Sequence, residues 1–227
     1  MNINKDKILF ILNNLPFDLN DVSCSEWVED NIDWINKIKG CHICFGASKL
    51  VIVPEKENFV IKIPIPGHIS TEDSVFGGYI TNYEEFENAR APLYDTYTND
   101  YCRTEAEYYI LAQQDQVAAM FAETIYFGDF DGVPVYLQEK CYTITETEEI
   151  DFVSKEEIVN SKKLLKTIPY KEKDTIAYAM RYCSEEDCKD LAYFLYENNI
   201  NDLSEGNIGF SAIDDRFVLI DYSGFDF

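Results

Sequence analysis

The sequence predicts an α+β protein in which a helical N-terminal extension precedes a small antiparallel β-sheet and a reduced, mostly helical second half. Three patterns predict this fold class. Residues 4–15 and 24–38 place apolar side chains at helical spacing. Residues 41–66 contain runs rich in β-branched residues, which are typical of strands. From residue 154 onward, apolar residues again recur at the spacing of amphipathic helices.

The composition indicates a folded protein with a substantial core. The chain has 227 residues, of which 46% are hydrophobic and 15% aromatic, enough for one core or for two small lobes around a cleft. No window of eighteen or more apolar residues is present, and the first apolar run lacks a small-residue cleavage site. We therefore expect a cytoplasmic protein, in a bacterial or host cytosol, that does not bind membranes.

The net charge is the strongest compositional signal. The chain carries 42 acidic and 19 basic side chains, a formal charge of −23. Such a surface repels nucleic-acid phosphates, so direct nucleic-acid binding is not expected. Two interpretations remain open: the charge keeps the protein soluble, or the acidic surface docks a basic partner protein or mimics a polyanion.

The first half of the chain is predicted to contain two helices followed by strands. In the second helix the apolar stripe consists of Trp27, Ile32, Trp34, Ile35 and Ile38. The strand-like runs that follow are joined at residues 55–58 by a polar turn that suits a hairpin. A Tyr-rich segment over residues 67–100 has no assigned role, and a helix is predicted from Tyr101 to about Ala119.

The second half begins with another predicted hairpin, which turns at residues 129–132. Helices are predicted at about 154–166 and 172–182. A third helix is opened by Ser184, with Asp187 three positions on, as in a capping box. The chain then closes with a turn at residues 213–216 and a short apolar strand.

Three polar residues near the end of the chain are predicted to meet. Asp202 and Asn207 lie five positions apart in a polar loop, and Asp221 follows at the end of the apolar strand. Hard oxygen ligands of this kind hold Mg²⁺, while a carboxylate orients an incoming hydroxyl in phosphoryl transfer. The alternative for the loop taken by itself is an ordinary capped turn.

A lysine and two glutamates form the second candidate group. Lys62 interrupts an apolar strand, where a buried ammonium group is costly unless it meets a carboxylate or a phosphate. The alternative is an edge strand with its lysine in water. On the following helix, Glu105 or Glu107 could face inward and hold Lys62 in place, and the sequence does not decide between them.

A small-residue segment lies between two strand runs at residues 45–49. Gly46 and Ser48 there would let backbone amides approach a phosphate. A simple bend in the strand is the alternative interpretation.

The order of these parts resembles the protein-kinase-like superfamily: a glycine-containing hairpin, a strand lysine, a helix glutamate, a second hairpin, a D-x-x-x-x-N loop and a metal-binding aspartate. The resemblance covers about residues 41–227. The loop at 202–207, DLSEGN, is closer to the D-L-H-x-G-N loop of aminoglycoside and choline kinase-like members. The chain is similar to small kinase-like proteins of bacteria and phages.

The resemblance implies a two-lobe fold. Residues 1–40 would form the helical extension, 41–140 the sheet-based N-lobe and 141–227 a minimal helical C-lobe. It also implies that ATP and Mg²⁺ are bound. The residues implied to contact the nucleotide are Gly46, Ser48, Lys62 and, as the hinge that holds adenine, Gln138, Glu139 and Lys140.

The resemblance further assigns roles in transfer. Asp202 would be the catalytic base, Asn207 and Asp221 would bind Mg²⁺, and Lys62 would contact the α- and β-phosphates and pair with Glu105 or Glu107.

Several positions depart from the family pattern. Ile200 and Ser204 stand where a histidine and a lysine are expected, and the glycine loop keeps only Gly46. The chain stops at Phe227, so we expect it to lack the activation segment and the helices that hold a peptide substrate.

Two functions are consistent with these features. The first is an ATP- and Mg²⁺-dependent phosphotransferase acting on a protein substrate. The second is a catalytically weak or inactive kinase-fold protein, phage- or effector-encoded, that regulates or inhibits a partner protein bound through its acidic surface. The oligomeric state is not predicted.

Overall fold

The computed structural model of the chain describes residues 3–22, 25–35, 38–46, 48–65, 101–144, 153–166, 168, 173–200, 203 and 205–222. These residues form an α+β protein with a five-stranded and a three-stranded sheet. The chain divides into two compact units, the first comprising Met1–Arg103 and Ile125–Gln138 and the second Thr104–Thr124 and Glu139–Phe227. The N-terminal helices thus belong to the same unit as the larger sheet, and Thr104–Thr124 to the other, whereas the sequence analysis assigned residues 41–140 to one lobe.

Two helices open the first unit. Helix α1 spans Lys5–Asn13 and is capped by Asn4, whose side-chain oxygen accepts a hydrogen bond from the backbone N–H of Lys7 at 3.3 Å. Helix α2 spans Ser25–Ile35. The two helices contribute to the core of this unit the buried residues Ile8, Ile11, Leu12, Val28 and Ile35.

The apolar spacing predicts both helices, but it places one tryptophan wrongly. Trp34, a predicted member of the apolar stripe, is 43% exposed. The buried face of the helix is centred on Val28 and Ile35, which are seven residues apart and fully buried. Trp34, next to Ile35, therefore lies at the edge of this buried face. The Trp34 ring still contacts Phe17, with ring centroids 6.2 Å apart.

Five strands form the larger sheet, in the order β1-β2-β3-β5-β4. Their bounds are Cys41–Phe45, Lys49–Pro54, Phe59–Pro64, Thr124–Phe130 and Val133–Glu139 for β1 to β5. Strands β1, β2 and β3 run antiparallel to their neighbours. The β4–β5 turn places Asp131 and Gly132 at φ values of 51° and 83°, the two positive angles that match the twist of a tight hairpin.

Four helices follow, and capping boxes fix the start of two of them. Helices α3 to α6 span Tyr101–Gln114, Lys155–Leu164, Lys173–Ala179 and Glu185–Glu197. Ser154 pairs with Glu157 at the start of α4, and Ser184 with Asp187 at the start of α6, each side chain accepting from the other residue's backbone. The predicted apolar stripe of α6 is buried: Cys188, Leu191, Ala192 and Leu195.

The smaller sheet lies in the second unit. Its strands, in the order β6-β7-β8, are Cys141–Thr143, Ile208–Ser211 and Phe217–Leu219, and all pairs are antiparallel. Strands β6 and β7 approach closely at Gly209, where a Cβ atom would lie 2.0 Å from the carbonyl oxygen of Tyr142. Only glycine fits that position.

A buried ion pair connects the end of β5 to the β7–β8 turn. The Glu139 side chain is 2% exposed, and Arg216 donates from Nη1 to Oε1 at 2.8 Å and from Nη2 to Oε2 at 2.5 Å. The Ser211 hydroxyl also donates to Oε1, and the Glu123 backbone N–H donates to Oε2 at 3.2 Å. Arg216 Nε in turn donates to the carbonyl of Ala119 at 3.0 Å. The carboxylate therefore accepts four hydrogen bonds from three parts of the chain.

These hydrogen bonds decide the charge of the pair. Burial by itself would raise the pKa of Glu139, but hydrogen bonds from Arg216 and Ser211 lower that pKa below its ordinary value. The hydrogen bonds to Glu139 raise the pKa of Arg216 in turn. Both side chains remain charged at neutral pH.

We expect the substitution Arg216→Met to lower the free energy of unfolding by about 3 kcal/mol, because it leaves a buried carboxylate without its cation. Urea denaturation at pH 7 measures this loss. The matched control is Arg181→Met, which breaks a bidentate pair with Glu157, a carboxylate that is 34% exposed, and should cost about 1 kcal/mol or less. Equal losses in the two variants would contradict the structural role given to the buried pair.

Candidate functional site

Lys62 lies in the middle of the larger sheet. Strand β3 is flanked by β2 and β5, so the edge-strand interpretation of Lys62 is wrong. All six residues of β3 are buried, and Lys62 itself is 4% exposed. Lys62 interacts with another group in the structure, and a buried ammonium group requires such a partner.

The predicted phosphate loop joins β1 to β2. The Gly46 N–H donates to the carbonyl of Lys49 at 2.9 Å, and the Ile65 N–H donates to the carbonyl of Ser48 at 2.8 Å. Gly46 is exposed, and among the described residues other than its chain neighbours no atom lies within 4 Å of the place its Cβ would occupy. At the other end of the loop, the backbone of Ser48 is hydrogen-bonded to Ile65, the residue that follows β3.

The two candidate glutamates of α3 differ in burial. Glu105 is fully buried, whereas Glu107 is exposed. A buried carboxylate on a helix needs a partner, and Glu105 has interactions within the chain. The burial expected of a residue that holds a buried lysine is thus found at Glu105 and not at Glu107.

The predicted hinge residues differ in how their polar groups are used. Gln138 is 1% exposed. The N–H of Glu139 donates to the carbonyl of Glu123 at 2.8 Å, and the carbonyl of Lys140 accepts from the N–H of Ala212 at 2.9 Å. Two of the backbone groups in this segment are therefore already used within the protein and would have to be released to bind adenine.

The predicted magnesium ligands lie at one end of the β7–β8 hairpin. The Asn207 carbonyl accepts a hydrogen bond from the Ile220 N–H at 2.7 Å, which continues the pairing of Ile208 with Leu219. Asn207 precedes β7 and Asp221 follows Ile220, so the ladder brings their backbones side by side, and both residues are half-buried. An amide and a carboxylate oxygen are donors that fit Mg²⁺.

The catalytic-base candidate, Asp202, lies outside the described residues. The described residues on either side of it, Ile200 and Leu203, are both buried. The carbonyl of Leu203 accepts a hydrogen bond from the Thr175 hydroxyl at 3.1 Å, which ties the loop to α5.

Sequence reasoning missed the residue that anchors Asp221. Tyr222 is fully buried, and its hydroxyl lies 2.9 Å from the carbonyl oxygen of Ala122 and 2.8 Å from the hydroxyl of Thr124. Its ring meets Phe121 edge-on, with centroids 4.9 Å apart. Burial, and then the negative charge of Glu105, raises the pKa of Tyr222, so it stays neutral and hydrogen-bonded. In the sequence, Tyr222 is marked only by its place directly after a short apolar strand.

Other site classes find less support among the described residues. Within that part of the chain, no group of three or more His, Cys, Asp or Glu side chains is placed to hold a metal. The predicted magnesium ligands, an amide and a carboxylate, are not a group of that composition. None of the described helices is long and apolar enough to cross a membrane.

Comparisons with models of known protein families, with curated proteins and with solved structures find no match to this chain.

Proposed function

We propose that this chain is an ATP- and Mg²⁺-dependent phosphotransferase with a kinase-like two-lobe fold, acting on a protein substrate. The observation that carries the proposal is the Asn207–Ile220 hydrogen bond of 2.7 Å, because it places Asn207 opposite the residue that precedes Asp221. The proposal brings the side-chain oxygens of Asn207 and Asp221 together at this end of the hairpin. Mg²⁺ bound there would neutralise the charge of the phosphates.

The remaining parts of the proposed site agree with this chemistry. Lys62, on a central strand, would contact the α- and β-phosphates, and Glu105, buried on α3, would keep it oriented. Asp202 would accept the proton of the attacking hydroxyl. The division of the chain into a sheet-based unit and a mostly helical unit supports the two-lobe assignment.

A second function, binding and regulation of a partner protein by an inactive relative of this fold, is favoured by the hinge. The Glu139 N–H and the Lys140 carbonyl are occupied by Glu123 and Ala212, which weakens adenine binding at that segment. The net charge of −23 would then serve to attract a basic partner. This alternative predicts partner binding without turnover of ATP.

An exposed aromatic group in the second unit also favours partner binding. Tyr142 lies opposite Phe210 on adjacent strands, and Tyr182 meets Phe210 edge-on with centroids 5.0 Å apart. Both tyrosines are about half exposed. Aromatic side chains of this kind are enriched in protein interfaces.

Calorimetric titration with Mg·ATP tests the proposal. We expect the wild type to bind and the double variant Lys62→Ala, Asp221→Ala to lose at least about 100-fold in affinity, since two charge-assisted contacts are removed. The control Lys56→Ala, Asp190→Ala changes the same charges at exposed positions and should bind like the wild type. If the wild type binds no nucleotide with or without Mg²⁺, the enzyme proposal fails and the regulatory function takes its place.

The two glutamates of α3 provide a matched pair of variants. Glu105→Gln should lower the rate of phosphoryl transfer about tenfold, because a neutral amide orients Lys62 less firmly than a carboxylate does. Glu107→Gln, two positions further along the same helix and exposed, should stay within twofold. Steady-state rates with Mg·ATP measure the effects of the two substitutions. The rates are compared under conditions in which thermal unfolding shows both variants to be equally stable. A larger effect at Glu107 would reverse the assignment.

A further inference from the structure

The larger sheet has a second face that does not belong to the apolar core. Along β2 and β3 the core takes Leu50, Ile52, Ile61 and Ile63. Because side chains alternate between the two faces of a strand, the residues between them lie on the opposite face. That second face carries Lys49, Val51, Val60, Lys62, Tyr136 and Gln138.

Two of these residues are buried lysines. Lys49 is 5% exposed and Lys62 4%. In the β2–β3 register, Lys62 lies opposite Val51, and Lys49 lies opposite Pro64. The two lysines are therefore diagonal neighbours on the same face, a relation that places Cβ atoms about 7 to 8 Å apart.

The sheet itself offers no carboxylate to balance this charge. Its only acidic residues are Asp129, which accepts a hydrogen bond from Tyr126 at 2.7 Å, and Glu139, which is held by Arg216. Both lysines have partners in the chain. Two neighbouring buried cations nevertheless repel each other, so an anion that contacts both would be favoured.

Among the six residues named on the second face, Val51 is the least covered. Val51 is half-buried, whereas the other five residues of β2 are buried. Val51 lies between the two lysines, two positions after Lys49 and opposite Lys62. At the same end of the strand, none of the described residues apart from the chain neighbours of Gly46 has an atom within 4 Å of the place its Cβ would occupy.

We propose that Lys49 is a second phosphate-binding cation, which acts together with Lys62 on the polyphosphate chain of a nucleotide. This inference rests on the proposed nucleotide binding and adds to it a selectivity for the number of phosphates on the nucleotide. A di- or triphosphate presents anionic oxygens on adjacent phosphorus atoms, so both ammonium groups can be engaged at once. A monophosphate engages one of them. The site thus selects nucleoside di- and triphosphates over monophosphates.

Calorimetric titration of ATP, ADP and AMP into the wild type and into Lys49→Met tests the inference. Methionine keeps the length and apolar stem of lysine but removes the charge. We expect Lys49→Met to weaken the binding of ATP and ADP at least tenfold and that of AMP less than threefold. Lys49→Arg, which keeps the charge, should stay within about threefold of the wild type for all three nucleotides, and Lys56→Met, at an exposed position, should match the wild type.

The possible outcomes separate this inference from the proposed function. If the wild type binds ATP but Lys49→Met loses nothing, or weakens ATP and AMP equally, then Lys49 is not a polyphosphate contact although nucleotide binding stands. If the wild type binds no nucleotide, the same titration with inorganic tripolyphosphate decides: binding that Lys49→Met abolishes supports the two-lysine site, and its absence overturns it. Thermal unfolding of each variant establishes that it is folded before titration.

Discussion

The β7–β8 hairpin is fixed at both ends, and the candidate site depends on this constraint. At its turn, Arg216 forms the buried bidentate pair with Glu139. At its open end, the Asn207–Ile220 hydrogen bond closes the ladder, and Tyr222 continues into the core against Phe121. A metal site needs ligands held within a fraction of an ångström, and a hairpin secured at both ends would give that rigidity to the two proposed ligands, Asn207 and Asp221.

The two faces of the larger sheet bury different kinds of side chain. One face packs apolar residues, including Leu50 and Ile61, into the core of the first unit. The other buries the cations Lys49 and Lys62, which costs stability unless anions or polar groups surround them. Proteins tolerate such local costs most often at functional sites, which is why this face, rather than the apolar one, carries the functional proposals.

The sequence predicted the elements whose signals are local. The capping box at Ser184 and the Asp-Gly turn at residues 131–132 each depend on residues a few positions apart, and both helix α6 and the β4–β5 hairpin form as expected. Strand β6 has only three residues and no alternation to detect. Strand β8 is equally short and ends at Leu219.

Long-range contacts account for the parts of the site that the sequence could not predict. Arg216 and Glu139 are 77 positions apart, and an arginine in a polar turn gives no sign of a buried partner. The choice between Glu105 and Glu107 depends on how α3 packs, because both faces of that helix carry apolar residues. The burial of Lys49 likewise follows from strand pairing and not from its neighbours in sequence.

A crystal structure of the chain with Mg²⁺ and a non-hydrolysable ATP analogue tests the central claim most directly. We expect a metal ion at about 2.1 Å from the Asn207 side-chain oxygen and the Asp221 carboxylate, with the phosphates in contact with Lys62. Nucleotide bound elsewhere on the chain, or no nucleotide at saturating concentration, would contradict it.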